Sequence, residues 1–427
     1  MRGAKIEIPR TVFPSNAATL TRVYDVITPI FGGGAVKQQN DPHIIRGSSI
    51  RGHLRFWWRA TRGGAFNGDL DAMRAREMAI WGVAANHNAA NQTQNSVGLS
   101  VEVLNRGKLE HYSTVSPTYV AFPLQSAAPD KQNLVTGVQF KLDLFFRDDV
   151  RDDVQAALWA WEMFGGIGGR TRRGFGAISA FGETLSLEAI RLGLQQHVVA
   201  NGVWAANIPH LESHSQIPST PSFQTAFGAW DNIVMKLKRF RQWRENDNPT
   251  LDRSNPRDPK MSLWGEPDTI RFLQQQKYPD IHPTHDIREG FTQAFPRAQF
   301  GLPITFKFKQ SDVFVSSLMS DPQRTTLELT QNGRFSSPLI LRPVLLGQSF
   351  VGIAVVLSGS RVPDERLWLR DDPDSKERTA AQKQGLPSHP IPSQAVTSTL
   401  NAPAIPMQTW STETDVLQAF LDSFDNL

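Results

Sequence analysis

Hydrophobic positions alternate most regularly at Val138, Phe140, Leu142, Leu144 and Phe146, the two-residue period of a strand with one face on a core. The pattern then changes period. Over 150–164, Val150, Val154, Ala157, Leu158 and Trp161 fall on one helical face. Upstream, LTRVYDVIT (20–28) is β-rich and ends at Pro29, and VGLSVEVL (97–104) reads as another strand. Between them, residues 48–64 predict a helix with Ser48 or Ser49 as N-cap and Gly63-Gly64 as its end, although Gly52 inside it costs about 1 kcal/mol against alanine. A second helical stretch covers 69–81, and FGAISAFG (175–182) reads as a closing strand. The resulting order, β-α-β-β-α-β, is the split βαβ arrangement of ferredoxin-like domains.

The second half is less periodic. A helix is predicted over 222–244, with its cations gathered in the last turns where the macrodipole favours them. Residues 245–268 read as a loop. Strands are predicted at 300–308, 336–347 and 349–358, a long Pro/Ser/Gln-rich loop at 362–408 and a terminal helix at 414–424. The 427 residues suffice for two or three domains, and no tandem repeat links the halves.

Composition narrows the class. Apolar content of 40% and charged content of 20% are ordinary for a globular protein. No apolar run reaches the roughly 18 residues that a membrane span needs, and MRGAKIEIPR carries no apolar leader core, so a cytoplasmic protein without a membrane partner is expected. The chain has no cysteine, which excludes disulfides, thiolate metal sites and cysteine nucleophiles. The net charge of +4 is unevenly spread. Residues 1–180 hold 21 basic and 15 acidic residues, or +6; the remainder holds 24 and 26, or −2. The basic excess lies in the first half, which suits an anionic partner there.

Two clusters carry that excess. GGIGGRTRRGFG (165–176) packs six glycines and three arginines into twelve positions with no acidic residue. It matches neither G-x-x-x-x-G-K-[ST] nor G-x-G-x-x-G, so no nucleotide cofactor is expected. Gly166, Gly168 and Gly169 would let the backbone approach an anion and present its N–H groups. Arg170, Arg172 and Arg173 supply fixed charge and bidentate phosphate recognition. The alternative is a solvated turn whose arginines pair with Asp148, Asp149, Asp152 and Asp153.

The second cluster lies on the 48–64 helix. Arg51, Arg55, Arg59 and Arg62 recur every three or four residues as one stripe, Arg46 precedes them, and no acidic residue occurs between Asp41 and Asp69. Ile50, Leu54, Trp57 and Thr61 form the adjoining core-facing stripe. Phe56, Trp57 and Trp58 cannot all face inward, so one ring, taken as Trp58, is expected beside the cations. Arginines next to an exposed aromatic suit single-stranded nucleic acid, with cations on phosphates and a ring on a base. The alternative is an amphipathic helix with a solvated charged face.

These residues carry a family resemblance. The glycine–arginine loop resembles that of the RAMP superfamily, the ferredoxin-fold RNA-binding proteins of CRISPR systems. TPIFGGG (28–34) with IRGSSIRGHLRFWWRA (45–60) is similar to the start of the subunit-one family of the type III-B (Cmr) effector complex. MSLWGEPDTIR (261–271), FPRAQFGLPITFKF (295–308) and RFSSPLILRPV (334–344) resemble further blocks of that family, with Gly265 where proline is common. The resemblance implies an α+β chain of two ferredoxin-like (RRM-like) RAMP domains, divided here as 1–190 and 191–427. It implies no catalytic role and no cofactor. It also implies a place beside other Cmr subunits around guide RNA and target RNA, at the end away from the guide's 5′ tag.

Rival chemistry rests on single residues. His53 or His43 would serve a metal-independent endoribonuclease as general acid or base, as in RAMP relatives that process guide precursors, and Asp41 would serve target cutting. His210 with His214, and His282 with His285, have metal-ligand spacing near Glu212, Asp280 and Asp286. Both pairs lie in loop-like sequence without a cysteine or HExxH pattern, so no metal is expected.

Overall fold

The alternation at 138–146 becomes the inner strand of an antiparallel sheet in the computed structural model. Residues 18–32, 45–82, 96–115, 117–125, 133–182, 185–242, 264–280, 287, 294–308, 322, 324–330, 333–359, 361–362, 367–371, 394–396 and 415–427 are described. They fall into two units, one of Met1–His214 with Val344–Ser349 and the other of Ser215–Pro343 with Phe350–Leu427.

The first unit runs β1 (Ala18–Val26), α1 (Gly47–Arg62), α2 (Leu70–Trp81), β2 (Val97–His111), α3 (Tyr112–Val115), α4 (Phe122–Gln125), β3 (Asn133–Phe146), α5 (Arg151–Phe164), β4 (Ile178–Ala180) and α6 (Leu187–His197). Its strands lie in the order β2-β3-β1-β4, every neighbour antiparallel, with Tyr24 opposite Phe140 and Val26 opposite Ile178. This is the split βαβ order expected from the sequence. Phe140, Leu142 and Leu144 of β3 are fully buried, as are Leu54 of α1 and Trp161 of α5. Tyr24 packs 5.1 Å from Phe140 and edge-on, 5.5 Å, to Trp161, and donates its hydroxyl to the buried Glu162 at 2.5 Å. Each large apolar side chain so buried contributes roughly 1.5–3 kcal/mol.

Two boundaries differ from expectation. The first helix begins at Gly47, with Arg46 as an extended N-cap whose carbonyl accepts from Ser49 and Ile50, so Ser48 and Ser49 lie inside the first turn. A side chain at Gly47 would meet Leu99, so the chain turns into α1 directly on the sheet. Strand β2 runs seven residues past 104, because a register shift between Val103 and Asn105 moves the outward side chains onto the other face and hides the strand's period. Gly107, at φ +69, passes so close to the Thr136 carbonyl that no Cβ fits.

After α6 the chain returns over the C-terminal end of α1. Val199, Leu211 and Val203 donate backbone N–H groups to the carbonyls of Thr61, Ala60 and Gly64, and the Trp204 indole donates to Arg59. The carbonyls that a helix end leaves unpaired are thereby satisfied.

The second unit contains α7 (Ala226–Gln242), α8 (Glu266–Lys277), β5 (Ile304–Phe306), β6 (Thr325–Leu329), β9 (Leu367–Asp371), β10 (Gln394–Ala395), α9 (Val416–Asp422) and, except for the Val344–Ser349 stretch, β7 (Leu339–Leu346) and β8 (Ser349–Val356). One antiparallel sheet has the order β10-β9-β6-β5, and β7 pairs with β8. Ile270 and Leu273 of α8 join Phe295, Ala298, Leu327, Leu367 and Leu369 in one core cluster. Three expectations change here. Helix α8 overlaps the end of the expected 245–268 loop; Glu266, Asp268, Thr269, Arg271 and Gln274 are buried alongside Ile270 and Leu273, so polar residues interrupt the apolar period of its inward face. Strands β9 and β10 fall inside the segment read as a long loop. The strand expected at 300–308 shortens to three residues: Phe300 ends a 3-10 turn that starts at Pro296, and Gly301, at φ +114, breaks the extended run before Ile304. Among the described residues no helix is long and apolar enough to cross a membrane.

Candidate nucleic-acid interface

The glycine–arginine loop starts where α5 stops, and it is bonded into the fold along its length. The Trp161 indole donates to the Gly166 carbonyl at 3.1 Å, and Ile167 N–H to Gly176 at 2.8 Å. Gly176 N–H reaches Pro29 and Gly169 N–H reaches Phe31, while Thr28 Oγ1 donates to the Gly174 carbonyl and accepts from Ala177. Glycine is required for this closeness. Gly168 has φ +82, and a Cβ there would lie 2.8 Å from Ile30; at Gly176, φ +59, it would lie 1.9 Å from the Ile167 carbonyl. A Cβ at Gly166 would lie 2.6 Å from the Gly176 carbonyl and one at Gly169 3.2 Å from that of Phe31. The expectation that Gly166, Gly168 and Gly169 approach an anion is corrected accordingly. They approach their own chain, and the Gly169 amide is spent on Phe31.

The arginines are what the loop displays. Arg170 has φ +56, a left-handed backbone that costs a non-glycine residue roughly 1–2 kcal/mol. Its guanidinium lies 5.7 Å from the Phe31 ring and 5.2 Å from the Phe122 ring, and Phe122 is 59% exposed. Exposed cation–π contacts contribute about 0.5–1 kcal/mol each. Arg172 sits 5.4 Å from the Phe56 ring, and burial lowers its pKa from the ordinary arginine range. Arg173 Nη1 donates to the Arg172 carbonyl. Three of the four acids weighed as loop partners are engaged elsewhere: Asp148 with Arg151, Asp149 with Arg147, and Asp153 with Trp58 and Arg76.

The α1 stripe is placed differently from expectation. Arg55 Nε and Arg59 Nη1 both bond Glu77 Oε1 of α2, at 2.5 and 2.6 Å. Arg51 donates to the Trp81 carbonyl, Arg55 also to that of Gly82, and Arg62 lies 4.0 Å from Asp153. The stripe therefore clamps α2 and is not an all-cationic face without acid partners. Trp58 is fully buried, with its indole N–H on Asp153, because it belongs to the helix's inner face. It offers no ring for stacking. The α1 aromatic that meets a loop arginine is Phe56, half-buried on the next face, and Arg46 is half-buried at the helix N-cap.

Among the described residues, acidic side chains interrupt the basic ones on the outer face of β1–β3. Lys141 there is paired with Glu102 at 2.9 Å, and Thr21 and Gln139 bond Asp143 and Asp25. His53 is half-buried on α1, and burial lowers its pKa. His210 stacks on Trp204 at 4.1 Å and 4°, and the exposed His214 lies 3.5 Å from Glu212. Asp41, His43, His282, His285 and Asp286 lie outside the described residues. Among the described residues no three His, Asp or Glu side chains gather as a metal site.

Comparison with known proteins adds the following. Residues 23–179 match the model of the RAMP superfamily. The curated CRISPR system Cmr subunit Cmr1-2 of Pyrococcus furiosus is 25% identical over 177 residues, which cover 36% of this chain and 90% of that protein. Among solved structures, the apo form of Cmr1 from Pyrococcus furiosus aligns over 88% of this chain and 98% of its own, with TM-score 0.49 and 14% identity. A chain of the type III-B Cmr-beta complex bound to cognate target RNA aligns over 85% and 98%, with TM-score 0.42 and 10% identity.

Proposed function

We propose, for a chain whose residues 23–179 match the RAMP-superfamily model, that it is a non-catalytic, RNA-holding subunit of a cytoplasmic type III-B CRISPR effector complex. It would grip guide RNA, target RNA or both near the guide's 3′ end, beside the other Cmr subunits. The observation that carries the reading is the glycine–arginine loop, bonded along Thr28–Phe31 and presenting Arg170 and Arg172 against Phe31, Phe122 and Phe56. Fixed cations beside aromatic rings match a flexible polyanion carrying planar bases. The likeness to a Cmr subunit from Pyrococcus furiosus supports the assembly.

The test is a titration of the full chain with single-stranded RNA at several salt concentrations, run alongside a cleavage assay with and without divalent metal. Affinity is expected to fall by about 0.7 log unit per phosphate contact for each log unit of salt, with the RNA left intact. Salt-insensitive binding, or none, overturns the RNA-holding reading. Cleavage that disappears in His53→Ala replaces it with the processing-enzyme reading.

A further inference from the structure

The left-handed residue in the loop is an arginine, in a segment where the same conformation at 168, 174 and 176 falls on glycine. That left-handed backbone costs a non-glycine residue roughly 1–2 kcal/mol, comparable with what two cation–π contacts contribute. A non-glycine residue in this conformation points to a use for its side chain. That side chain places its guanidinium against two phenylalanines, one of them the exposed Phe122. Phe122 projects from α4, whose neighbours Val120, Ala121 and Leu124 are buried, so the ring is held out by an anchored turn. Neither 117–125 nor 165–176 contains an acidic residue.

We propose that Phe31, Arg170 and Phe122 form a base-stacking platform, on which one unpaired nucleobase of single-stranded RNA lies against the exposed face of Phe122. Arg170 holds the ring from its other contact and brings positive charge to the adjoining phosphate. The inference rests on the RNA-holding reading and deepens it, by locating a contact to a base where the loop alone would touch only backbone. The occupant is a nucleobase because the two segments that build the platform together carry arginines and no acid of their own, which matches a planar ring carried on a polyanion.

The test places a fluorescent base analogue at successive positions of a single-stranded RNA and measures affinity and quenching with the full chain. Phe122→Ala is expected to weaken binding about ten-fold, to abolish quenching at one position and to leave the salt slope unchanged, since a stacking contact releases no counterions. Phe122→Trp should retain both affinity and quenching. Arg170→Gly should weaken binding while the melting temperature stays level or rises, because glycine accepts φ +56 without strain. RNA binding by Phe122→Ala with unchanged affinity and quenching overturns the platform while leaving the RNA-holding reading intact. An Arg170→Gly variant that melts early yet binds RNA normally also overturns it, and makes the arginine a tie between loop and α4. Phe122→Ala that loses assembly with other subunits but keeps its RNA overturns it in favour of a protein-docking ring. Failure of the unaltered chain to bind RNA sinks the RNA-holding reading first.

Discussion

Arg172 lies 5.4 Å from the ring of Phe56, so the glycine–arginine loop is joined to α1 through an aromatic and not through the arginine stripe on that helix. The two arginine clusters therefore do different work. The loop presents its cations against rings, whereas Arg55 and Arg59 hold Glu77 and so bind α2.

The loop cluster is expected to carry RNA affinity. Arg172→Ala with Arg173→Ala should weaken binding to all sequences alike and lower the salt slope by up to about one unit per lost phosphate contact. Loss of the Arg172–Phe56 contact should reduce stability by no more than about 1 kcal/mol. Salt titration and thermal melting of the same variant separate the two effects. A stability collapse with normal affinity would assign the pair to the fold.

The helix cluster is expected to carry stability. Replacing the buried Glu77 by Ala leaves Arg55 and Arg59 without their shared carboxylate and should cost about 3 kcal/mol, read by denaturant unfolding. Arg55→Ala should overlap with Glu77→Ala and not add to it, because both remove one interaction. Additive losses would contradict the clamp.

The glycines are expected to behave as scaffold. Gly168→Val and Gly176→Ala impose a side chain at φ +82 and +59 against Ile30 and the Ile167 carbonyl. Each should cost about 1–3 kcal/mol and reduce RNA binding with it. Native stability in either variant would show that the loop adapts freely.

Acidification should destabilise the protein below neutral pH. Burial first of all lowers the pKa of His53, of His197 beside Arg62, and of His210 from the ordinary 6.5. The unfolded chain then binds protons more readily than the native one, so this contribution is complete above about 6.5 and is lost as pH falls below it. The melting temperature should drop between pH 7 and pH 5, and His53→Gln with His210→Gln should flatten that slope. An unchanged slope would remove these rings from the effect.

The parts legible in the sequence are those with one apolar and one polar side. Strand β3 and helix α5 follow from their periods, and the strand order follows from their succession. Helix α8 was hidden because its buried face carries Glu266, Asp268 and Arg271, with Arg271 on Asp268 and Glu266 on Arg297. Glu77 and Asp153 escaped as partners of the α1 arginines because charge counting along a chain sees only neighbours in sequence. The loop was legible as a site for arginine, but its glycines were not legible as packing residues, since the Thr28–Phe31 contact spans more than a hundred residues. Phe122 looked in sequence like its apolar neighbours Val120, Ala121 and Leu124, and only its exposure beside Arg170 distinguishes it.

The return of residues 199–211 over the end of α1 sets how short an N-terminal piece can be and still hold its shape. A polypeptide stopped at 190 would forfeit the bonds to Arg59, Ala60, Thr61 and Gly64, at roughly 1 kcal/mol apiece, and with them the indole seated on the Gly63–Gly64 pair. One continued through Leu211 keeps all four. A protease that nicks the chain after Leu211 should therefore release a resistant N-terminal piece, and one that nicks before Val199 should release a piece that is soon digested further.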